Sequence, residues 1–291
     1  MDLISALAQT VIFLFASPDN TIVPVPIGTA FIVQYPIDNN AKQFIPFIVT
    51  AKHVVGNSSK VYGRFNTQSG SQTAMVEYNL TNIKASGDYW EHTDLGVDIA
   101  IFRTLNFGVT SYQSIPIDLI ASKDDFTKEE IKQTDRVIFP GLLVNFLGAQ
   151  KNYPIMKDGS IALIPTEIVP ISYKVGSQII NTEQELILLN SISIPGLSGS
   201  PIFLYPGPRL KGNSFNIGGT RALMLGVMHG FYNALPREVH KVETTEQKFY
   251  YSDNSGIAIV FPSWRLREIF ERPDFVKRIE ELKRQIKLGS N

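Results

Sequence analysis

Three short segments bring together residue types that can move a proton and break an acyl bond. Thr50-Ala51-Lys52-His53-Val54-Val55 ends an apolar run on a histidine, and Gly96-Val97-Asp98-Ile99-Ala100-Ile101-Phe102 sets an acid at the mouth of another. Pro195-Gly196-Leu197-Ser198-Gly199-Ser200-Pro201 wraps two glycines and two prolines around a serine. Each is weak alone: a strand-end histidine is commonly structural, a turn aspartate commonly satisfies local backbone donors, and a glycine-rich hairpin commonly carries no chemistry. Together they fill the roles of nucleophilic catalysis. A serine hydroxyl attacks only when a base takes its proton, and a carboxylate behind the base fixes its tautomer.

The order along the chain is His, Asp, Ser, which excludes the α/β-hydrolase and subtilisin arrangements, where the same geometry is reached in other orders. Gly196 and Gly199 allow backbone conformations closed to other residues. In such a turn the N–H groups of Gly196 and Ser198 can point into one small space, as a developing oxyanion requires.

The elements that must hold these residues are short. From Thr10 to Ile120, runs rich in Val, Ile, Phe and Thr alternate with turn clusters and predict six strands: Thr10–Phe15, Thr29–Gln34, Phe44–Thr50, Val61–Phe65, Ala74–Asn79 and Asp98–Arg103. Six antiparallel strands can close a small barrel. Residues 122–135 turn abruptly polar and read as a solvated linker with one helical turn. A second series follows: Arg136–Phe139, Leu142–Leu147, Ser160–Pro165, Leu186–Ser191, Ser200–Leu204, Ala222–His229 and Gly256–Val260. Phe275, Ile279, Leu282 and Ile286 then recur at helical spacing, with Pro273 breaking this helix from a shorter turn around Trp264–Phe270. The expected organisation is an N-terminal β-barrel over 1–121 carrying the His and Asp, a linker over 122–135, a C-terminal β-barrel over 136–262 carrying the Ser, and a C-terminal helix over 263–291. The helix is expected to pack on the second barrel, with self-association or partner docking as its alternative role.

Composition narrows the partners. The 291 residues contain 27 Lys plus Arg and 27 Asp plus Glu, so zero net charge offers no field to collect nucleic acid or an anionic membrane. The absence of cysteine removes disulfides, thiol nucleophiles and Cys-based metal sites, and fits a reducing compartment. The apolar stretch Leu3–Ala16 lacks the basic start of a signal peptide, since the first Lys or Arg is Lys42, so it is read as part of the fold. A cytoplasmic location is expected, with secretion the alternative. No cofactor and no metal is implied.

The three segments resemble the chymotrypsin-like serine proteases, above all their cysteine-poor HtrA-type and glutamyl-endopeptidase-like branch. TAKHVV is similar to that family's T-A-x-H segment, VDIAIF to D-[IVL]-A, and GLSGSP to G-x-S-G-[GS]-P. Weaker likeness extends to Gly28–Val33, Leu225–Gly230 and Gly256–Val260, so the match runs over about residues 10 to 290 and leaves no stretch for a PDZ domain. The resemblance implies an all-β fold of two six-stranded antiparallel barrels with a C-terminal helix, and a serine endopeptidase acting on a polypeptide through an acyl-enzyme. His53 would be the general base, Asp98 its orienting acid and Ser198 the nucleophile, with the N–H groups of Gly196 and Ser198 as the oxyanion hole. A substrate- or partner-gated peptide-binding member with little intrinsic activity is the alternative.

Departures from the pattern also carry expectations. Leu197 stands where digestive members have the aspartate that pairs with a new N-terminus, so activation by that ion pair is unavailable. The specificity pocket falls on Asn190–Ile194, Val227–Gly230 and Gly256–Ala258, with Ile192, Ile194, His229, Gly230 and Gly256 as its candidate substrate-binding residues. It holds no acid, which points to an apolar or small residue before the scissile bond. His229 has two readings, a receptor for a substrate carboxylate or a structural strand histidine. His92 reads as a surface-loop residue, Asp94 as a rival to Asp98, and His240 as part of a polar loop.

Overall fold

The structure, a computed structural model, describes every residue except 1, 18–22, 38–42, 71, 106–107, 109, 165–166, 212–213, 217–221, 234–236, 240–248, 252–253 and 290–291. His240 therefore lies outside the described residues.

After a short helix α1 (Leu3–Ala8), seven strands build one antiparallel sheet: β1 (Val11–Ala16), β2 (Val25–Pro36), β3 (Phe44–Thr50), β4 (Lys60–Thr67), β5 (Thr73–Asn79), β6 (Tyr89–Glu91) and β7 (Ala100–Arg103), with the short helices α2 (Lys52–Val55) after β3 and α3 (Leu80–Ala85) after β5. Their order is β5-β4-β1-β2-β3-β7-β6, with β8 (Thr110–Ser111) on β4 and β9 (Ile115–Pro116) parallel to β2. Leu3–Ala16 belongs to this fold, and β1 lies in its middle between β2 and β4. Burial in β1 and β3 is nearly continuous because both faces are covered. Ile12, Leu14, Ile32, Ile48 and Phe102 fill the inner face of the curl. Phe31, Phe47, Val49 and Ile101 face outward into a second core shared with the rest of the molecule.

The second unit is built from β10 (Arg136–Gly141), β11 (Ile155–Leu163), β14 (Ile187–Asn190), β15 (Pro201–Leu204), β18 (Met224–Asn233) and β21 (Asn254–Pro262). They close into a barrel in the order β10-β11-β14-β21-β18-β15. Three two-stranded ribbons leave it: β12 (Val169–Val175) with β13 (Gln178–Gln184), β16 (Arg209–Lys211) with β17 (Ser214–Asn216), and β19 (Arg237–Val239) with β20 (Phe249–Tyr251). The all-β double-barrel class thus holds, with the first unit a curled sheet and the second closed. The expected strand Leu142–Leu147 is instead a loop. Its apolar side chains serve contact between the units, Leu142 and Val144 packing with Phe13 and Phe15. Arg64 donates to the carbonyls of Leu147, Gly148 and Ala149, which holds the loop without pairing it.

Between the units, α4 (Lys123–Lys128) opens on a capping box made by Ser122 and Asp125. At the far end α5 (Ser263–Phe270) and α6 (Pro273–Gly289) meet at Pro273 as the sequence predicts. The expectation that the last helix packs on the second barrel needs correction. Phe275 of α6 lies 4.9 Å from the Trp90 ring, 5.3 Å from Phe47 and 5.4 Å from Tyr35, all in the first sheet. Arg278 Nε donates to Asp88 Oδ1 at 2.7 Å while Arg103 Nε donates to Asp88 Oδ2 at 2.8 Å, and Arg272 donates to the Glu91 carbonyl. The reason is positional: α5 packs against β18 and β21, and the turn at Pro273 carries the chain across to the other unit. Phe275, Ile279 and Leu282 are buried there. Among the described residues no helix is long and apolar enough to cross a membrane.

Candidate active site

His53 stands on the single turn α2 (Lys52–Val55) that follows β3, and Asp98 stands just before β7, the strand paired with β3. Register therefore brings the two together although 45 residues separate them. The His53 backbone N–H donates to Asp98 Oδ1 at 2.8 Å, and the ring Nδ1 lies 2.5 Å from Asp98 Oδ2. The Lys52 N–H adds a bond to the Asp98 carbonyl at 3.3 Å. Asp98 is fully buried, whereas the His53 side chain keeps 24% of its surface. Burial opposes charge on both groups. For Asp98 the two neighbouring imidazoles outweigh it and hold the carboxyl below the usual carboxylate range. For His53 burial is again overcome, by the charge of Asp98 and the bond to it, so the imidazole is pushed up.

Asp94, the rival acid, is engaged elsewhere: it accepts from the Gly96 N–H at 2.8 Å and from Gln184 Nε2 at 2.9 Å. His92 is buried, not a surface residue, because its Nε2 lies 2.6 Å from Glu268 in α5 and its Nδ1 accepts from the Asp94 N–H. It joins the loop before Asp98 to the C-terminal helices.

The serine turn belongs to the second unit but is tied into the first. The Thr29 N–H donates to the Ser198 carbonyl at 2.9 Å, and Thr29 Oγ1 donates to the Gly196 carbonyl at 2.6 Å. Gly199 has φ +88°, and a Cβ there would lie 2.0 Å from the Thr29 carbonyl oxygen, so only glycine fits the crossing. Gly196, at φ +101°, passes less closely over the Leu142 carbonyl, whose oxygen a Cβ there would meet at 2.8 Å. The N–H groups of Leu197, Gly199 and Ser200 bond to Ile194, Met228 and Leu197 carbonyls. Among the described residues those of Gly196 and Ser198 have no such backbone partner. Leu197, at the position where an aspartate would make an ion pair, is buried in the barrel core. Ser200 Oγ is buried without a hydrogen-bond partner.

The Ser198 hydroxyl donates to the His229 carbonyl at 2.8 Å and makes no hydrogen bond to His53. The structure thus joins His53 to Asp98, while the Ser198 hydroxyl, in the turn before β15, is bonded to the neighbouring strand β18. His229 lies against the same acid: its ring Nδ1 is 2.5 Å from Asp98 Oδ2. His53, Asp98 and His229 are also the one group of potential metal ligands among the described residues. Both nitrogens, however, stand at hydrogen-bond distance from one oxygen, whereas ligand atoms around a tetrahedral zinc are about 3.3 Å apart. The spacing is that of two N–H donors on a carboxylate.

Of the other candidate pocket residues, Ile192 is largely exposed and Ile194 packs against the barrel core. Gly230 lies on β18 opposite Ile259, and the Gly256 carbonyl accepts from the Ser191 N–H at 3.0 Å. A cavity of about 600 Å³ opens between the β12–β13 hairpin and β18, lined in part by Ile171, Thr182, Phe231, Tyr232 and Ile259, and of the candidates only His229 borders it. The strand expectations passed over this hairpin. Tyr173 of β12 stands with its ring 4.8 Å from His229 and 6.4 Å from His53, and its hydroxyl donates to the Gly96 carbonyl at 3.1 Å. The signal was present: Ile171, Tyr173 and Val175 alternate up to Gly176-Ser177, a two-residue hairpin turn.

No protein-family model matches the chain, and no curated protein matches it. Solved structures do. The protease domain of MamO from Magnetospirillum magneticum superposes with a TM-score of 0.50 at 11% identity, over 91% of this chain and 97% of that one. A serine endoprotease from Yersinia pestis gives 0.47 at 14% identity over 92% of this chain and 64% of its own, and the tobacco etch virus protease gives 0.42 at 11% over 78% and 70%. The MamO likeness shows that the chain has a chymotrypsin-like protease fold.

Proposed function

We propose that this protein is a serine endopeptidase, of the cysteine-poor branch that the HtrA-type enzymes represent. The observation that carries the reading is the His53–Asp98 pair, held by two hydrogen bonds where the serine turn of the second unit meets the first. Ser198 Oγ would bond to the substrate carbonyl carbon as its proton passes to His53 Nε2. The C–N bond then breaks as His53 gives that proton to the leaving amine, and water repeats the sequence on the acyl-enzyme. The unengaged N–H groups of Gly196 and Ser198 supply donors for the oxyanion. Ile192, Ile194, Gly230 and Gly256 would border the side chain before the scissile bond, and their lack of charge favours an apolar or small residue there.

A second reading has its own observation. With its hydroxyl bonded to the His229 carbonyl, Ser198 must turn before it can attack, which suits a member gated by its substrate or a partner.

Incubation with a fluorophosphonate and mass detection of the adduct tests both. We expect a label on Ser198 that is lost in Ser198→Ala and His53→Ala, and peptide hydrolysis reduced by about 10⁶ in kcat in Ser198→Ala. A folded wild type that takes no label would overturn the endopeptidase reading and leave the gated one. Since His53 must be neutral to accept a proton and Asp98 holds it charged to higher pH, the acid limb of labelling should lie above the ordinary histidine value of about 6.5.

A further inference from the structure

Asp98 is approached from two sides by two histidines belonging to different units. His53 comes from α2 of the first sheet and His229 from β18 of the second barrel, and each places Nδ1 2.5 Å from the same oxygen, Oδ2. The rings are 5.2 Å apart and nearly perpendicular, and His229 is closed in by Tyr173 and by Phe261 at 5.6 Å. The His229 carbonyl accepts the Ser198 hydroxyl. One residue therefore touches both the acid and the nucleophile.

We propose that His229 is a positioning residue of the reaction, its Nδ1–H sharing Asp98 Oδ2 with that of His53 and so fixing the carboxylate from the second barrel. This rests on the endopeptidase reading for its effect on rate, but not for the hydrogen bond itself. It assigns His229 a role distinct from receiving a substrate carboxylate, since a second negative group beside buried Asp98 would be repelled.

The chemistry follows from counting donors and acceptors. A neutral imidazole has one N–H, and a carboxylate only accepts, so both histidines must carry the proton on Nδ1 to satisfy Oδ2. For His53 this leaves Nε2 free as the acceptor that a general base needs. With two donors on one oxygen the carboxylate charge is shared, and the pull on a His53 proton is weaker than a lone His–Asp pair would exert. His229 thus tempers the basicity that Asp98 confers. The other titratable groups near the cluster are Tyr173 on the hairpin, Tyr89 and Glu91 on β6, Asp94 in the preceding loop, and Lys52, whose Nζ donates to the Leu95 carbonyl at 2.7 Å. None of them donates to Asp98 Oδ2.

The test uses the whole chain and two readouts. In proton NMR of the wild type, two strongly downfield imidazole N–H resonances are expected. His229→Asn should remove one and spare the other, and Asp98→Asn should abolish the downfield shift of both. In the pH profile of fluorophosphonate labelling, His229→Ala should lower the rate about tenfold or more, as loss of an orienting partner does elsewhere. It should also move the acid limb to higher pH, because Asp98 then acts on His53 alone. His229→Asn, whose amide N–H falls near the Nδ1 position, should restore most of the rate and the wild-type limb. A lower folded fraction would reduce the amplitude without moving the limb, and His229→Asn covers the case in which the alanine variant does not fold. A single downfield resonance that survives His229→Asn, or an unmoved limb in His229→Ala, overturns the proposal. Absence of labelling in the wild type overturns the endopeptidase reading instead, while the resonances still decide the bond.

Discussion

The two β units present their parts of the site in different ways. The first, an open curled sheet, contributes side chains: the His53 ring and the Asp98 carboxylate, aligned by the pairing of β3 with β7. The second, a closed barrel, sets the Ser198 hydroxyl and the His229 ring on a frame of backbone: the glycine turn around Ser198 and the His229 carbonyl that holds its hydroxyl. A barrel has no free edge and holds its turns from both sides. An open sheet needs something to cover it, and here α6 does so from the end of the chain, through Phe275 on Phe47, Trp90 and Tyr35 and through Arg278 on Asp88, which Arg103 of β7 also holds. The side-chain half of the site therefore depends on a distant element, and the backbone half on local conformation.

Substitutions sharpen this contrast. Gly199→Ala acts on the backbone half, where the new Cβ would overlap the Thr29 carbonyl at a positive φ. It should cost about 4 kcal/mol or more and leave little folded protein, read as loss of the cooperative thermal transition. Phe275→Ala acts on the cover of the first sheet and should cost about 3–5 kcal/mol by denaturant titration. Hydrogen exchange should then show faster opening in β3, β6 and β7 than in the barrel strands, and uniform loosening of both units would contradict the division.

Asp88→Asn weakens the same cover by about 1–3 kcal/mol, because two charged hydrogen bonds are lost. Its carboxyl is desolvated by burial, but Arg278 and Arg103 hold its pKa below the ordinary value. A lowered carboxylate pKa stabilises the fold at neutral pH, and that contribution is lost as the pH falls below about 3.9 and through the folded value. Stability measured between pH 5 and 2 should thus fall less steeply in the variant than in the wild type. Ser200→Ala has the smallest expected effect: it removes a buried hydroxyl with no partner, so stability should be unchanged or higher by about 1 kcal/mol. A clear loss would mean that this hydroxyl has a role in the turn.

Much of the fold was legible because strand signals are local. The runs at 44–50, 73–79 and 201–204 appear within a residue of their expected bounds, and Pro273 divides the helices as its missing N–H requires. The run at 142–147 misled for the same reason: its apolarity serves the other unit, and composition cannot say which partner a leucine meets. The candidate site was legible as three segments in order. His92 shows the limit, since its partner Glu268 lies 176 residues away.

By itself, then, the sequence determined which residue types could do acyl chemistry, the strands that carry them and the glycines that the serine turn demands, because alternation, turn chemistry and left-handed backbone are written in neighbouring residues. Only the tertiary structure decided that one sheet curls while the other closes, that the last helix crosses to the first unit, that a hairpin sets Tyr173 beside His53, and that His229 turns its ring onto Asp98. Each of these depends on contacts between residues far apart in the chain, where packing and a shared buried charge select one arrangement among many that local patterns allow.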